Sequence, residues 1–182
     1  GHPITLNASE LQLGRGETIA DTGRVLSRYV DAIALRTFGH EEVVELARAA
    51  SVPVINSLTD QEHPCQILAD LMTVREHFGK PEGLKLAYVG DGNNVARSLA
   101  YGCAKFGLKY RIATPEEYAL DQDTIRQANT IRPDTVYQTK EPVDAVKNAD
   151  VVYTDTWVSM GQESEKEKRI ADFQGFQVNS QL

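Results

Sequence analysis

Apolar and polar positions along this chain change period again and again, from short extended runs to longer stretches with helical spacing. Residues 3–6 read as a short strand and residues 7–16 as a loop, followed by a helix over about 17–29. Residues 30–35 form an apolar strand that ends on Arg36, and residues 40–50 a helix with Val43, Val44, Leu46 and Ala47 on its apolar face. Residues 52–55 form the next strand. The helix that opens at Pro64 runs to about residue 77, with Ile67, Leu68, Leu71 and Met72 at helical spacing.

Gly79-Lys80-Pro81-Glu82-Gly83 interrupts this rhythm and sets a domain boundary, giving domains 1–78 and 79–182. In the second, strands are expected at 84–89, 109–113, 135–138, 150–154 and 173–178. Helices are expected from the Gly90-Asp91-Gly92-Asn93-Asn94 turn to about 106, over 121–131 and over 142–148. The charged run 163–169 reads as a solvated helix face. Strand–helix alternation of this kind predicts an α/β fold of two consecutive domains. Each is a mostly parallel sheet flanked by helices, with the active site in the cleft between them.

Composition narrows the class. A 41% apolar share and a mean hydropathy of -0.36 suit a globular protein with a real core. No apolar run approaches the roughly 20 residues of a membrane span, and no signal-peptide pattern is present. The net charge of -7 argues against a general nucleic-acid binder, which needs clustered Lys and Arg. Cys65 and Cys103 make neither a disulfide framework nor a metal-binding pair, and a reducing, cytoplasmic setting is the simplest inference. The chain starts on Gly rather than Met and stops within a polar stretch, as expected of a fragment.

The candidate chemistry gathers at strand ends and helix starts. In Asp60-Gln61-Glu62-His63-Pro64-Cys65-Gln66, proline suits the first helical position, so His63 stands at the helix entrance and Gln66 in its first turn. An imidazole, a carboxamide and open first-turn amides can hold a small, partly anionic substrate. Taken alone, His63 and Gln66 read better as a cap neighbour and an ordinary first-turn residue, and Arg36 as a surface ion pair. The Gly90–Gly92 turn invites a dinucleotide-binding reading. Val95 stands where the third glycine of that fingerprint belongs, however, and the following strand ends on Thr114-Pro115 rather than an acid. A glycine turn for tight strand–helix packing explains it as well. Asp155 and Ser159 follow another strand end. Together Arg36, His63, Gln66, Asn93, Asp155 and Ser159 come from both halves and are placed to converge.

His63-Pro64-Cys65-Gln66 resembles the HPxQ motif of the carbamoyltransferases. Gly90-Asp91-Gly92-Asn93-Asn94 and Asp155-Thr156-Trp157-Val158-Ser159-Met160-Gly161 resemble the ornithine-side motifs of the ornithine carbamoyltransferase family. The likeness extends over essentially the whole chain, including Asp21-Thr22-Gly23-Arg24-Val25-Leu26 and Phe173-Gln174-Gly175-Phe176-Gln177. HPxQ marks the superfamily, whereas DxxxSMG behind a GDGNN turn points to ornithine. The resemblance implies that Arg36, His63 and Gln66 hold carbamoyl phosphate and act on its carbamoyl group. It implies that Asn93, Asp155, Ser159 and Met160 hold the amino-acid end of L-ornithine. It implies no cofactor and no metal, no nucleic-acid or membrane partner, and a homotrimer in the full-length protein. The location implied is cytoplasmic, or the mitochondrial matrix for a eukaryotic parent.

The residue types agree with that chemistry. Arg36 and His63 can donate to the carbamoyl oxygen as charge develops on it, and Gln66 can accept from the carbamoyl NH2. The family's STRTR and HCLP motifs are absent from the sequence. They would lie before Gly1 and after Leu182, so these residues alone are expected to be inactive. Four other readings compete. Aspartate carbamoyl transfer would call for added cations on the amino-acid side, and putrescine offers no amino-acid group for DxxxSMG to read. The other two are a nicotinamide-dependent oxidoreductase and a non-catalytic binding domain.

Overall fold

Each named strand runs parallel to the strands it pairs with, and helices supply the crossovers such pairing needs. The computed structural model describes residues 1–7, 11–13, 15–159 and 161–182, and they divide into two units, Gly1–Asp60 and Gln61–Leu182.

In the first unit β1 (Ile33–Arg36) pairs with β2 (Val54–Leu58), and α2 (His40–Ala49) connects them. Helix α1 (Ile19–Leu26) begins at Thr18, whose Oγ1 accepts from the Asp21 N–H at 3.0 Å and so satisfies an otherwise open first-turn amide. Ile33, Val43 and Leu46 form the buried apolar set, with Thr22 and Thr59. Residues 3–6 are exposed and are not a strand, contrary to expectation. Pro3 brings no N–H to a ladder, and no partner strand faces this segment among the described residues. Strand β2, in contrast, continues to Leu58, beyond the expected 52–55.

The second unit opens with α3 (Pro64–Phe78) and continues β3 (Lys85–Val89), α4 (Asn94–Phe106), β4 (Lys109–Ala113), α5 (Gln122–Ile131), β5 (Val136–Thr139), α6 (Pro142–Val146), β6 (Val151–Tyr153) and α7 (Lys166–Asp172). Its sheet has the order β5-β4-β3-β6. The chain steps outward from β3 to β5 and then returns to the other side of β3. The carboxyl ends of β3 and β6 therefore flank the point where strand order reverses, where open α/β sheets form their ligand crevice.

The core packs Leu86, Tyr88, Tyr110 and Ile112 of the sheet against Ala96, Leu99, Ala100 and Cys103 of α4. Ile67, Leu71 and Val74 of α3 join it, each burial contributing about 1.5–3 kcal/mol. At Gly102 the two helices approach so closely that a Cβ would stand 2.7 Å from Ile67 Cγ2. By packing, then, α3 goes with the second compact unit, which begins at Gln61.

Two further expectations change. Residues 173–178 are a turn and irregular chain rather than a strand. Phe173 is fully buried, 4.7 Å from the Tyr118 ring and 5.6 Å from that of Trp157, and its period-two neighbours belong to no ladder. In the charged run, Arg169 is 7% exposed rather than solvated. No helix among the described residues is long and apolar enough to cross a membrane.

Candidate functional site

Asn93 is the N-cap of α4, and its Oδ1 accepts from the N–H groups of Val95 (3.0 Å) and Ala96 (3.1 Å). Asparagine suits this position because its short side chain reaches back to the open first-turn amides. These amides are thereby occupied rather than presented to an anion. The same side chain then donates through Nδ2 to Asp155 Oδ2 at 3.2 Å. The turn after β3 and the loop after β6 thus meet at the strand-order reversal, through two of the residues singled out from the sequence. Thr154 Oγ1, donating to the Val89 carbonyl at 2.8 Å, joins the same two strand ends.

Gly92 makes the turn possible. A Cβ there would lie 2.6 Å from both the Leu120 nitrogen and the Tyr118 carbonyl oxygen, so only glycine lets the turn seat on that segment. The tight-packing explanation of the glycines holds at this position.

Asp155 is half-buried, and its Oδ1 accepts from the Thr156 N–H at 2.7 Å. The loop that follows is held from beneath by Arg169, whose Nη1 donates to the Trp157 carbonyl at 3.1 Å and to Asp91 Oδ2 at 2.8 Å. Its Nε donates to Glu165 Oε2 at 3.1 Å. Burial raises the Asp91 carboxyl above its ordinary value, against the pull of the Arg169 hydrogen bond and charge. Ser159 is half-buried, and its N–H donates to Gln162 Oε1 at 3.1 Å. Met160 lies outside the described residues.

On α3, His63 stands at the N-cap position and Pro64 at the start of the helix, as the sequence predicts. The His63 backbone N–H donates to Ser98 Oγ on α4 at 2.8 Å, which ties the helix entrance to the second unit's core. Gln66 Nε2 donates to Asp70 Oδ1 at 3.0 Å, and Tyr153 on β6 donates its hydroxyl to Asp70 Oδ2 at 2.9 Å. Burial, and then the bond to Asp70, push the Tyr153 phenol well above its usual range. Arg36 closes β1 in the first unit and is exposed.

The second unit therefore brings Asn93 and Asp155 into direct contact. It also links Gln66, through Asp70, to the strand that leads into Asp155. Asp70, Asp91, Tyr153 and Arg169 are the residues that sequence reasoning passed over. Asp70 carried a usable signal, since it stands four residues from Gln66 on one helix face. The Asp91–Arg169 pairing had none. Among the described residues, no group of three or more His, Cys, Asp or Glu side chains is placed to hold a metal ion.

Known proteins resemble this chain over its whole length. The family model for the aspartate/ornithine carbamoyltransferase carbamoyl-P binding domain matches residues 1–76, and that for the Asp/Orn binding domain matches residues 82–182. The ornithine carbamoyltransferase of Anoxybacillus flavithermus is 53% identical, over 100% of this chain and 59% of its own length. The catabolic ornithine carbamoyltransferase of Thermoplasma volcanium is 52% identical, over 100% of this chain and 61% of its own. The solved ornithine carbamoyltransferase from Pyrococcus furiosus superposes with a TM-score of 0.92 at 53% identity, covering 100% of this chain and 59% of that one. The chain thus spans about three-fifths of the length of these relatives. Matched by both domain models in order along its length, this chain belongs to the aspartate/ornithine carbamoyltransferase family.

Proposed function

We propose that these residues form part of an enzyme that transfers the carbamoyl group of carbamoyl phosphate to the δ-amine of L-ornithine, giving L-citrulline and phosphate. The observation that carries the reading is the Asn93–Asp155 contact at the strand-order reversal. It sets a carboxylate and a carboxamide side by side, a pair suited to the α-ammonium and α-carboxylate of an amino acid. The relatives' names support ornithine as that amino acid. Aspartate fits less well, because the buried cation that touches this loop, Arg169, is already committed to Asp91 and Glu165.

In this reading Asp155 and Ser159 take the α-ammonium, and Asn93 and the Met160 backbone N–H take the α-carboxylate. Arg36 and His63 donate to the carbamoyl oxygen, and Gln66 accepts from the carbamoyl NH2. The δ-amine attacks the carbonyl carbon, negative charge gathers on its oxygen, and the C–O bond to phosphate breaks as the carbonyl reforms, the amine nitrogen losing one proton to the departing phosphate. Orientation and preorganised donors carry the acceleration, with no covalent enzyme intermediate. Functionally, carbamoyl phosphate belongs to residues 1–78 and ornithine to residues 79–182. The enzyme is a cytoplasmic homotrimer of arginine metabolism, or a matrix enzyme in a eukaryote.

The test is citrulline formation by the open reading frame that contains these residues, together with calorimetric titration of each substrate. Asp155→Asn keeps the shape and removes the charge. Ornithine affinity should fall about tenfold or more, with carbamoyl phosphate affinity nearly unchanged. Carbamoylation of aspartate in preference to ornithine, or an equal loss for both substrates, would overturn the assignment.

A further inference from the structure

We propose that Asp70 is a positioning residue for the carbamoyl group, fixing which end of the Gln66 carboxamide meets the substrate. The inference rests on the reading of Gln66 as the acceptor of the carbamoyl NH2 and adds a residue to it.

A glutamine in the first turn of a helix has three side-chain torsions, and its carboxamide can present either a donor or an acceptor to a ligand. Asp70 removes that choice. It stands one turn further along α3, and its Oδ1 receives the Gln66 Nε2 hydrogen at 3.0 Å. A carboxylate only accepts, so the NH2 end of Gln66 must face it and Oε1 is left to accept from elsewhere. Turning the carboxamide over would set two acceptor oxygens against each other.

Asp70 is itself held. Its second oxygen receives the Tyr153 hydroxyl at 2.9 Å, from a ring stacked 5.8 Å from that of Tyr88 in the sheet. Tyr153 is the last residue of β6, and Asp155 follows two positions later. The chain Gln66–Asp70–Tyr153 therefore runs from the carbamoyl-side helix to the strand that delivers Asp155. It orients the acceptor and fixes α3 against the amino-acid side of the same unit.

The test uses the intact open reading frame. Asp70→Asn keeps size and shape but removes the charge and leaves one oxygen where two accept now: with its NH2 toward Gln66 the carboxamide must turn over, and with its NH2 toward Tyr153 the bond that holds Gln66 loses its charge. KM for carbamoyl phosphate should rise about tenfold, the scale of one charge-assisted hydrogen bond, while ornithine affinity stays within about twofold. Gln66→Glu alone should lose activity by placing two carboxylates together. Adding Asp70→Asn to it restores a donor–acceptor pair and should recover part of the loss. Should Asp70→Asn fail to fold, Tyr153→Phe keeps the stacked ring, removes one bond to Asp70, and should give a smaller rise in the same KM. An unchanged carbamoyl phosphate KM in Asp70→Asn, or equal effects on both substrates with no recovery in the double variant, would overturn the inference. Gln66→Ala separates the two layers. If it raises that KM while Asp70→Asn does not, the role of Asp70 alone fails; if neither does, the reading of Gln66 fails with it.

Discussion

Arg169 Nη1 donates to Asp91 Oδ2 at 2.8 Å, and the two side chains are only 8% and 9% exposed. The pair joins α7 to the turn after β3, and the same guanidinium nitrogen holds the Trp157 carbonyl in the loop after Asp155. A pair so closed to solvent is weak evidence of net stability, but breaking one side of it is costly, because the other charge stays buried.

Arg169→Ala should therefore destabilise the fold by about 3–5 kcal/mol. The loss should also depend on pH. Burial already raises the Asp91 carboxyl above its ordinary 3.8, and without Arg169 the neutral form is favoured further. A carboxyl whose pKa is higher folded than unfolded favours the fold most below the unfolded value, and that contribution is lost as pH rises through the folded value. The penalty should be smallest near about pH 4 and larger near about pH 8, as read by urea unfolding at each. An equal loss at both, or one under about 1 kcal/mol, would show that Asp91 is rehydrated in the variant.

Gly92→Ala tests the seat of the turn. The added Cβ meets backbone atoms at 2.6 Å, which cannot swing aside as a side chain can. Overpacking of this kind costs about 1–3 kcal/mol and displaces the backbone. Thermal unfolding should show a lower Tm, and ornithine affinity should fall with it because Asn93 is the next residue. A variant with wild-type Tm would mean that the 118–120 segment yields easily.

The two cysteines should separate cleanly by reactivity. Cys65 is exposed in the first turn of α3, whereas Cys103 is fully buried in α4 and burial pushes its thiol up to about 12. Only the thiolate reacts readily. A disulfide reagent should label Cys65 in the native protein and reach Cys103 only after denaturant is added. Rapid labelling of both in the native state would mean that α4 opens locally.

What could be read from the sequence was what local chemistry decides. The helix opening at Pro64, the helix entered from the Gly90–Asn94 turn and the helix over 121–131 correspond to α3, α4 and α5, and β4 has the expected bounds. What could not be read depended on distant partners. Arg169 sits among Glu and Lys residues and looks solvated, yet it is buried by Asp91, 78 positions earlier. The short apolar run over residues 173–178 reads as a strand, but Phe173 is taken by Tyr118 and Trp157 instead. Likewise, the apolar face of α3 declares a helix without declaring that α4 will cover it. Within the site, strand ends and motif positions marked Asn93 and Asp155. Their mutual contact depends on β6 returning beside β3, which no local pattern encodes.

That contact gives the last prediction, because Asn93 does two jobs that substitutions can separate. Its Oδ1 caps α4, and its Nδ2 meets Asp155. Asn93→Ala removes both, and the lost cap should cost about 1 kcal/mol of stability together with ornithine affinity. Asn93→Asp keeps an acceptor for the Val95 and Ala96 amides and places negative charge at a helix start, which the helix dipole favours. The kept cap and the helix dipole offset part of the repulsion between the new carboxylate and Asp155, so stability should fall by no more than about 1 kcal/mol. The donor to Asp155 is lost, however, and a second carboxylate stands where the α-carboxylate of ornithine is proposed to bind. Ornithine affinity should fall about tenfold or more while carbamoyl phosphate affinity holds. Denaturant unfolding and calorimetric titration of both variants read the two effects apart. If Asn93→Asp binds ornithine as the parent does, Asn93 is a cap alone, and the α-carboxylate must be held by other groups.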